Sequence, residues 1–407
     1  MRVLHVVPSL SMRIGGPAIS VVEYALALRA CGVESTIFAT DMGEAVSSTT
    51  RRRVMPADLP DGADQLDVRL FRARWPYRLA FSPALGRAFD AAVPQYDAVH
   101  IHMLFTYPQF AAYRAARRHG VPYVVSPHGA LDPHLRARSR AAKALTDRAW
   151  QRDMLENAAA LHFTTLDEAL LTADLQFGAR EVIVPNGVRW GAYQRLPSGG
   201  EFRRRWLAGH TGPVVLNLGR LSHKKGLDTL IRAFAIVLRE QPDARLVLAG
   251  PDDEGLAPSL RALARAEGID GRVTFTGMLR GDDKLGALVA ADVWALPSHT
   301  ENFGIAVVEA LAAGRPVVIS PQVNIAPDVL AADAGVVCER TPQAFASAIG
   351  TLLRDPSRRA ALGDRARAFA RRYDWPMVGP QLARMYRDVA GQHPSPIESI
   401  EEAQDAA

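Results

Sequence analysis

Short apolar runs alternate along this chain with longer stretches of helical period, and the alternation runs through twice. In the first half the apolar runs fall at residues 3–7, 35–39, 68–71, 98–102, 123–126, 161–164 and 182–184, separated by helical stretches at 19–30, 108–119 and 166–177. Runs without polar alternation predict strands covered on both faces, and helices between them predict parallel crossovers. Over residues 186–200, NGVRWGAYQRLPSGG, the period is lost and Gly and Pro accumulate, which predicts an interdomain linker. The pattern then restarts at 214–217, 246–249, 273–276, 293–296, 317–319 and 335–338. The fold class predicted is α/β, with two doubly wound, Rossmann-like domains at 1–190 and 191–374 facing each other across a cleft. Ligands are expected at the carboxyl ends of the strands. The stretch after 390 is polar and acidic and is predicted to be disordered over 391–407.

Composition narrows the classes. At 407 residues the chain has room for two ordinary cores. Cys31 and Cys338 stand far apart with no ligand-like spacing, so neither a disulfide framework nor a zinc site is indicated, and a reducing cytoplasm is the expected location. No apolar stretch approaches the length of a membrane span. Residues 1–200 carry 23 Lys and Arg against 18 Asp and Glu, so the whole net charge of +5 belongs to the first half. It clusters at 51–53, 69–78, 114–119 and 136–152, the last reading RARSRAAKALTDRAWQR. Such a face suits anionic lipid headgroups or a lipid diphosphate, which places the protein peripherally on the inner membrane face; nucleic acid, the competing polyanion, is set aside. A solvated Arg-rich surface is the plainer account of the same residues.

The candidate chemistry follows the strands. In PSHTENFGIAVVEALAAGRP, over 297–316, Glu301 lies in a loop and Glu309 eight residues on in the helix predicted over 304–313. The unpaired amides of Phe303, Gly304 and Ile305 at that helix start favour an anion such as a diphosphate, and the carboxylates can accept from sugar hydroxyls. A capping Glu and a surface Glu are the bland alternative for the pair taken alone. After the run 214–217 comes GRLSHKKG, whose Arg220 and Lys225 can neutralise a diphosphate, unless they are simple surface cations. Gly15-Gly16-Pro17 follows the first strand and allows close backbone approach, but no dinucleotide fingerprint is present. His128 in SPHGALDP can donate to a sugar hydroxyl or serve only its turn. His100 and His102 share a strand face, yet no third metal ligand is placed by the sequence. Asn186-Gly187 reads as a tight turn at the cleft.

Taken together these residues resemble the retaining nucleotide-sugar glycosyltransferases with the GT-B fold usually called family 4, over nearly all of the chain up to about residue 390. The most specific elements are Glu301 and Glu309 at their seven-residue interval, then GRLSHKKG, VPNGV and the early GGP loop. The resemblance implies that Glu301 contacts the donor sugar near its 3- and 4-hydroxyls and that Glu309 holds the ribose. It implies that Arg220 and Lys225 bind the diphosphate, that Gly15 and Gly16 approach it from the other domain, and that His128 lies beside the donor sugar. Asn186, Asn302, Phe303, Gly304 and Ile305 complete the donor-binding set, and His128, Glu301, Arg220 and Lys225 the catalytic one. A C-terminal helix at 375–390 is implied to cross back onto the first domain. SPHGALDP and FRARWPYRLAFSPALGRAF are most similar to members that build bacterial exopolysaccharides or O-antigens on lipid carriers. One departure is SPQVNIAPDVL, with Asp328 where many members carry a Glu after Pro; backbone contacts from residues 324–326 to the donor are still expected.

The expected activity is therefore hexosyl transfer, with retention, from a UDP- or GDP-linked sugar to a glycan or polyprenyl-diphosphate-linked acceptor. No enzymic nucleophile is evident, which points to a front-face mechanism in which the departing phosphate takes the acceptor proton. No metal or other cofactor is expected, because the cations take that task. A GT-B epimerase would use the same diphosphate site without an acceptor, and a noncatalytic assembly protein would keep the fold without the charged set.

Overall fold

The computed structural model describes residues 1–45, 51–137 and 140–391; the tail predicted over 391–407 lies outside it but for its first residue, as do Arg138 and Ser139 of the basic stretch. Seven strands form a parallel sheet: β1 (Arg2–Ser9), β2 (Glu34–Thr40), β3 (Asp67–Phe71), β4 (Ala98–His102), β5 (Tyr123–Ser126), β6 (Ala160–Phe163) and β7 (Glu181–Ile183), in the order β3-β2-β1-β4-β5-β6-β7. Six more form a second: β8 (Val214–Leu218), β9 (Arg245–Ala249), β10 (Val273–Gly277), β11 (Val293–Leu296), β12 (Val317–Ile319) and β13 (Gly335–Val337), in the order β10-β9-β8-β11-β12-β13. These are the two doubly wound α/β domains that the apolar pattern predicts. In each sheet the order reverses beside the first strand, where neighbouring loops diverge and leave a crevice.

Two features escaped the pattern. Met42–Ala45 pairs antiparallel with Arg51–Arg53, a hairpin too polar to stand out. The helix expected over 166–177 stops at Leu170, and the hydroxyl of Thr172 caps the carbonyl of Ala169 at 2.8 Å.

Both faces of the first sheet are covered by helices. On one face Val3, Ala98, Val124, Ala160 and Val182 make an apolar floor with Tyr24 and Leu28 of the helix Gly16–Ala30. Trp375, Val378, Leu382 and Tyr386 of the helix Trp375–Val389 complete that cluster, although this helix follows the second domain in sequence. Burying each such side chain is worth about 1.5–3 kcal/mol, so the helix acts as a strap across the two domains. The chain crosses at Val188 and returns at Asp374, which form a parallel bridge, with the Val188 amide donating to the Tyr373 carbonyl at 2.7 Å. Among the described residues no helix is long and apolar enough to cross a membrane.

Candidate active site

The loops after β8, β11 and β12 assemble one charged group. Glu301 is pinned through its backbone, its amide donating to the Gln322 carbonyl at 3.0 Å and its carbonyl accepting from the Asn324 amide at 3.0 Å. Its carboxylate accepts from Nζ of Lys225 and lies 3.5 Å from Nζ of Lys224. Burial pushes the Glu301 carboxyl up, but the two ammonium groups outweigh it and hold its pKa at about 2. Burial lowers the pKa of Lys225, and Arg220 and Lys224 add to that while Glu301 opposes it. The Glu301 and Lys225 side chains are each only 12 % exposed, so screening by water is weak.

The helix after Glu301 runs over Ile305–Ala312, one residue later than predicted, because Gly304 takes the left-handed conformation (φ 82°) as its cap. Phe303 turns into the core, edge-on to Tyr373 at 5.5 Å. Among the described residues the amides of Phe303, Gly304 and Ile305 have no backbone acceptor, as befits a helix start. Glu309 stands in the second turn and accepts from Nζ of Lys284 at 2.8 Å. The Glu309 charge raises the pKa of Lys284 and, after burial, that of Tyr193. Of the amides expected to reach a donor from residues 324–326, that of Asn324 already donates to Glu301 and that of Ala326 to Val323 at 2.7 Å.

From the other domain Gly15 (φ 121°) meets this group: a β-carbon there would stand 3.1 Å from Nη2 of Arg220. Gly16 faces open space. His128 follows β5 with φ 52°, and Gly129 after it donates to Glu168 at 2.7 Å. Glu168 also accepts from the Thr164 amide and hydroxyl, and Thr164 in turn accepts from the Asn302 side chain at 3.1 Å. A β-carbon on Gly129 would come within 3.0 Å of Asn302, so the two domains touch tightly on this side of Glu301. Thr300 donates across the same gap to Asp132 at 2.8 Å. Between the domains a cavity of about 510 Å³ is bordered by Asp132, His134, Asp167, His299 and Asn324. Asn186 is placed elsewhere: its amide oxygen accepts from Tyr24 at 2.6 Å, and Gly187 beside it leaves room for the Trp375 ring.

Behind His128 lies a histidine group that strand register creates. His5 pairs with His100 across β1 and β4, His102 pairs with Ser126 across β4 and β5, and all point to the face covered by Tyr24 and Tyr386. Nδ1 of His5 lies 3.1 Å from Nε2 of His102, whose Nδ1 lies 3.0 Å from Nε2 of His128. A second chain runs from Tyr386 through His100 (2.5 Å), Ser126 (2.6 Å) and His162 (2.7 Å) to the carbonyl of Val184 (2.9 Å). That carbonyl can only accept, so each group in turn donates toward it and Tyr386 donates to His100. His5, His100 and His102 bring nitrogens within 4.8 Å of one another, a spacing that admits a metal. Both nitrogens of His100 and both of His102 are engaged in these chains, which favours the hydrogen-bonded reading.

Comparison with known proteins agrees with this geometry. Residues 15–187 match the glycosyl transferase 4-like domain, and residues 200–369 match glycosyl transferases group 1. The D-inositol 3-phosphate glycosyltransferase of Kineococcus radiotolerans is 31 % identical over 406 aligned residues, covering 92 % of this chain and 90 % of that protein. The chain belongs to the group 1 glycosyltransferases. The enzyme of the same name from Thermobispora bispora is 30 % identical over 92 % of this chain and 90 % of its own length. Among solved structures, sucrose-phosphate synthase from Thermosynechococcus elongatus superposes with a TM-score of 0.77 at 20 % identity, covering 97 % of this chain and all of that one. Anabaena HepE in complex with UDP and glucose superposes with a TM-score of 0.74 at 20 % identity, covering 95 % and 99 %. These likenesses establish the GT-B fold, and glycosyltransferase activity follows from the family.

Within this glycosyltransferase, Gly15, Arg220, Lys225 and Glu301 are brought together, with Gly304, Ile305 and Glu309 along the adjoining helix. His128 and Asn302 meet at the domain contact through Gly129. Sequence reasoning missed Lys284, Lys224 and Tyr193. Lys224 had a signal, the doubled Lys of GRLSHKKG, whereas Lys284 sits in GDDKLGAL with nothing to mark it.

Proposed function

We propose that this glycosyltransferase moves a hexosyl group, with retention at the anomeric carbon, from a nucleotide diphosphate sugar to an acceptor hydroxyl. The supporting observation is the convergence of Lys224 and Lys225 on Glu301 at the open start of the helix Ile305–Ala312, with the charge of Arg220 felt at Lys225 and its guanidinium facing the bare backbone of Gly15. Cations and helix amides there suit a diphosphate leaving group, and each well-placed donor is worth about 3–4 kcal/mol in the transition state. Glu309, oriented by Lys284, takes the ribose, Glu301 takes the sugar hydroxyls, and His128 flanks the sugar. The departing phosphate oxygen accepts the proton of the incoming hydroxyl on the same face, without a metal. UDP-linked hexoses are the first donors to try, since HepE was solved with UDP and glucose.

The acceptor we favour carries phosphate. The curated relatives are named for inositol 3-phosphate, and the exopolysaccharide reading calls for a polyprenyl-diphosphate-linked sugar; both present a hydroxyl beside an anion. A recess of about 500 Å³ lined by Arg136, Arg140 and Lys143 shares Pro133 with the interdomain cavity and suits that anion. Two cations of the basic stretch are paired internally, Arg136 with Asp147 at 2.7 Å and Arg152 with Glu156 at 2.7 Å, which leaves less charge for a bilayer than the sequence suggests.

The test is a thermal-shift panel of UDP, GDP, ADP and their hexoses on the wild type and Lys225→Ala, followed by product analysis with inositol 3-phosphate and a polyprenyl-diphosphate sugar as acceptors. One nucleotide family that stabilises only the wild type, and an axial or equatorial product linkage matching the donor, support the reading. A folded protein that binds none of them refutes it, and release of a rearranged sugar without acceptor points to an epimerase.

A further inference from the structure

The chain His5–His102–His128 links the interior of the first sheet to the side of the cleft where His128 sits. Each ring is buried at least in part, and burial lowers the pKa values, to about 3 for His5 and for His128. All three rings are therefore neutral near pH 7, and a neutral imidazole carries one N–H. Two hydrogen bonds through three such rings require the protons to point one way along the chain.

The inner end decides which way. Nε2 of His5 is buried and has no hydrogen-bond partner. If the protons pointed inward, that nitrogen would be a buried N–H without an acceptor; if they point outward, it is only an unused lone pair. Orphaned donors are the rarer and costlier of the two. Outward polarity makes His5 donate from Nδ1 to Nε2 of His102, and His102 donate from Nδ1 to Nε2 of His128. The proton of His128 then sits on Nδ1, which takes no part in the chain and is not among the buried unpartnered atoms. The left-handed turn at His128 (φ 52°) is an unusual conformation for a residue with a side chain, and it sets the ring at the end of this line.

We propose that His102 and His5 are positioning residues that hold His128 as its Nδ1–H tautomer, so that His128 meets the sugar of the donor as a hydrogen-bond donor and not as a base. The assignment of His128 to the sugar rests on the function proposed above; the tautomer does not.

The experiment is tautomer-sensitive nitrogen NMR on protein labelled with 15N-histidine, the His128 signal being identified by its loss in His128→Gln. In the wild type the signal is that of the Nδ1–H form. In His102→Leu the form shifts toward Nε2–H, and kcat falls roughly ten- to hundredfold while the KM for donor stays within about twofold. His102→Gln, whose amide can still donate to Nε2 of His128, restores the tautomer and most of kcat. A wild-type Nε2–H signal, or a His102→Leu protein with an unchanged His128 signal, overturns the proposal. Should His102→Leu fail to fold, His5→Leu removes the upstream donor and is read the same way. Failure of any sugar nucleotide to bind would defeat the proposed function but leave the tautomer measurement to decide this inference by itself.

Discussion

Gly15 and Arg220 come from different domains, yet a β-carbon on Gly15 would lie 3.1 Å from the Arg220 guanidinium. That spacing leaves backbone alone between the N-terminal loop and a cation of the proposed diphosphate site. Gly15 also has a φ of 121°, where a side chain is strained by about 1–3 kcal/mol. Gly15→Ala is therefore expected to lower unfolding stability by that amount and to raise the KM for donor, measured by denaturant titration and initial rates. Gly16→Ala separates the two effects. Its β-carbon meets open space, so the unfolding curve should stay put while donor binding weakens. A Gly16→Ala protein with unaltered donor binding would remove Gly16 from the site.

Lys225 is the cation bonded to Glu301, with Lys224 at 3.5 Å as the remaining one. Lys225→Ala is expected to cut kcat/KM by roughly a hundredfold to a thousandfold, as loss of one well-placed stabilising group does. Halving a buried ion pair costs about 3–5 kcal/mol, and Lys224 should hold the loss near the lower figure. Circular dichroism should find the variant folded, and adding Glu301→Gln should cost little more, because the charge left unpaired is then gone. Turnover at the wild-type rate in Lys225→Ala would remove this lysine from the chemistry.

Sequence carried the strands and the loop chemistry because both are local. A run such as 98–102 needs no partner to be seen, and GRLSHKKG or TENFG announces its cation, carboxylate or bare backbone by residue type and order. What it could not carry was register. His5 and His100 become strand partners only through the pairing of β1 with β4, and the third nitrogen beside His100 and His102 was invisible for that reason. Asn186 shows the reverse case: a turn after a strand suggested the cleft, but the packing of Tyr24 and Trp375 draws it under the strap helix. Lys284 reaches Glu309 from a helix 25 residues earlier in the chain, a relation no motif encodes.

Lys284 and Glu309 give a prediction that localises the ribose. Lys284→Met removes the 2.8 Å bond that orients one carboxylate oxygen of Glu309, and nucleotide affinity should fall roughly tenfold, the loss of about one charged hydrogen bond. If the effect is at the ribose, UMP and UDP weaken by the same factor. Lys225→Ala should instead weaken UDP far more than uridine, since it acts on phosphate. Isothermal titration of uridine, UMP and UDP against both variants tests the pair together, and equal patterns in the two would contradict the division of labour.

The histidine group makes the fold sensitive to acid. Burial holds His5 and His128 near pKa 3, and His162 near 4, against an ordinary value of about 6.5. Unfolded, each takes up a proton as the pH falls through 6.5; folded, each refuses it until pH 3–4, so the unfolded state binds more protons throughout that window. Stability is therefore intact above about pH 6.5 and declines below it by up to about 1.4 kcal/mol per pH unit for each histidine. Urea unfolding from pH 8 to pH 5 should show this fall, and His162→Asn should reduce its slope by about one proton while also costing the bond to the Val184 carbonyl. The loss should appear first in the strap helix, because Tyr386 covers His100 and donates to it, and opening that helix exposes His100, whose pKa burial holds well below 6.5, to a proton that the closed form refuses. Hydrogen exchange at pH 5.5 that opens the helix Trp375–Val389 before the second domain would bear this out, and uniform protection, or stability unchanged between pH 7 and pH 5, would contradict it.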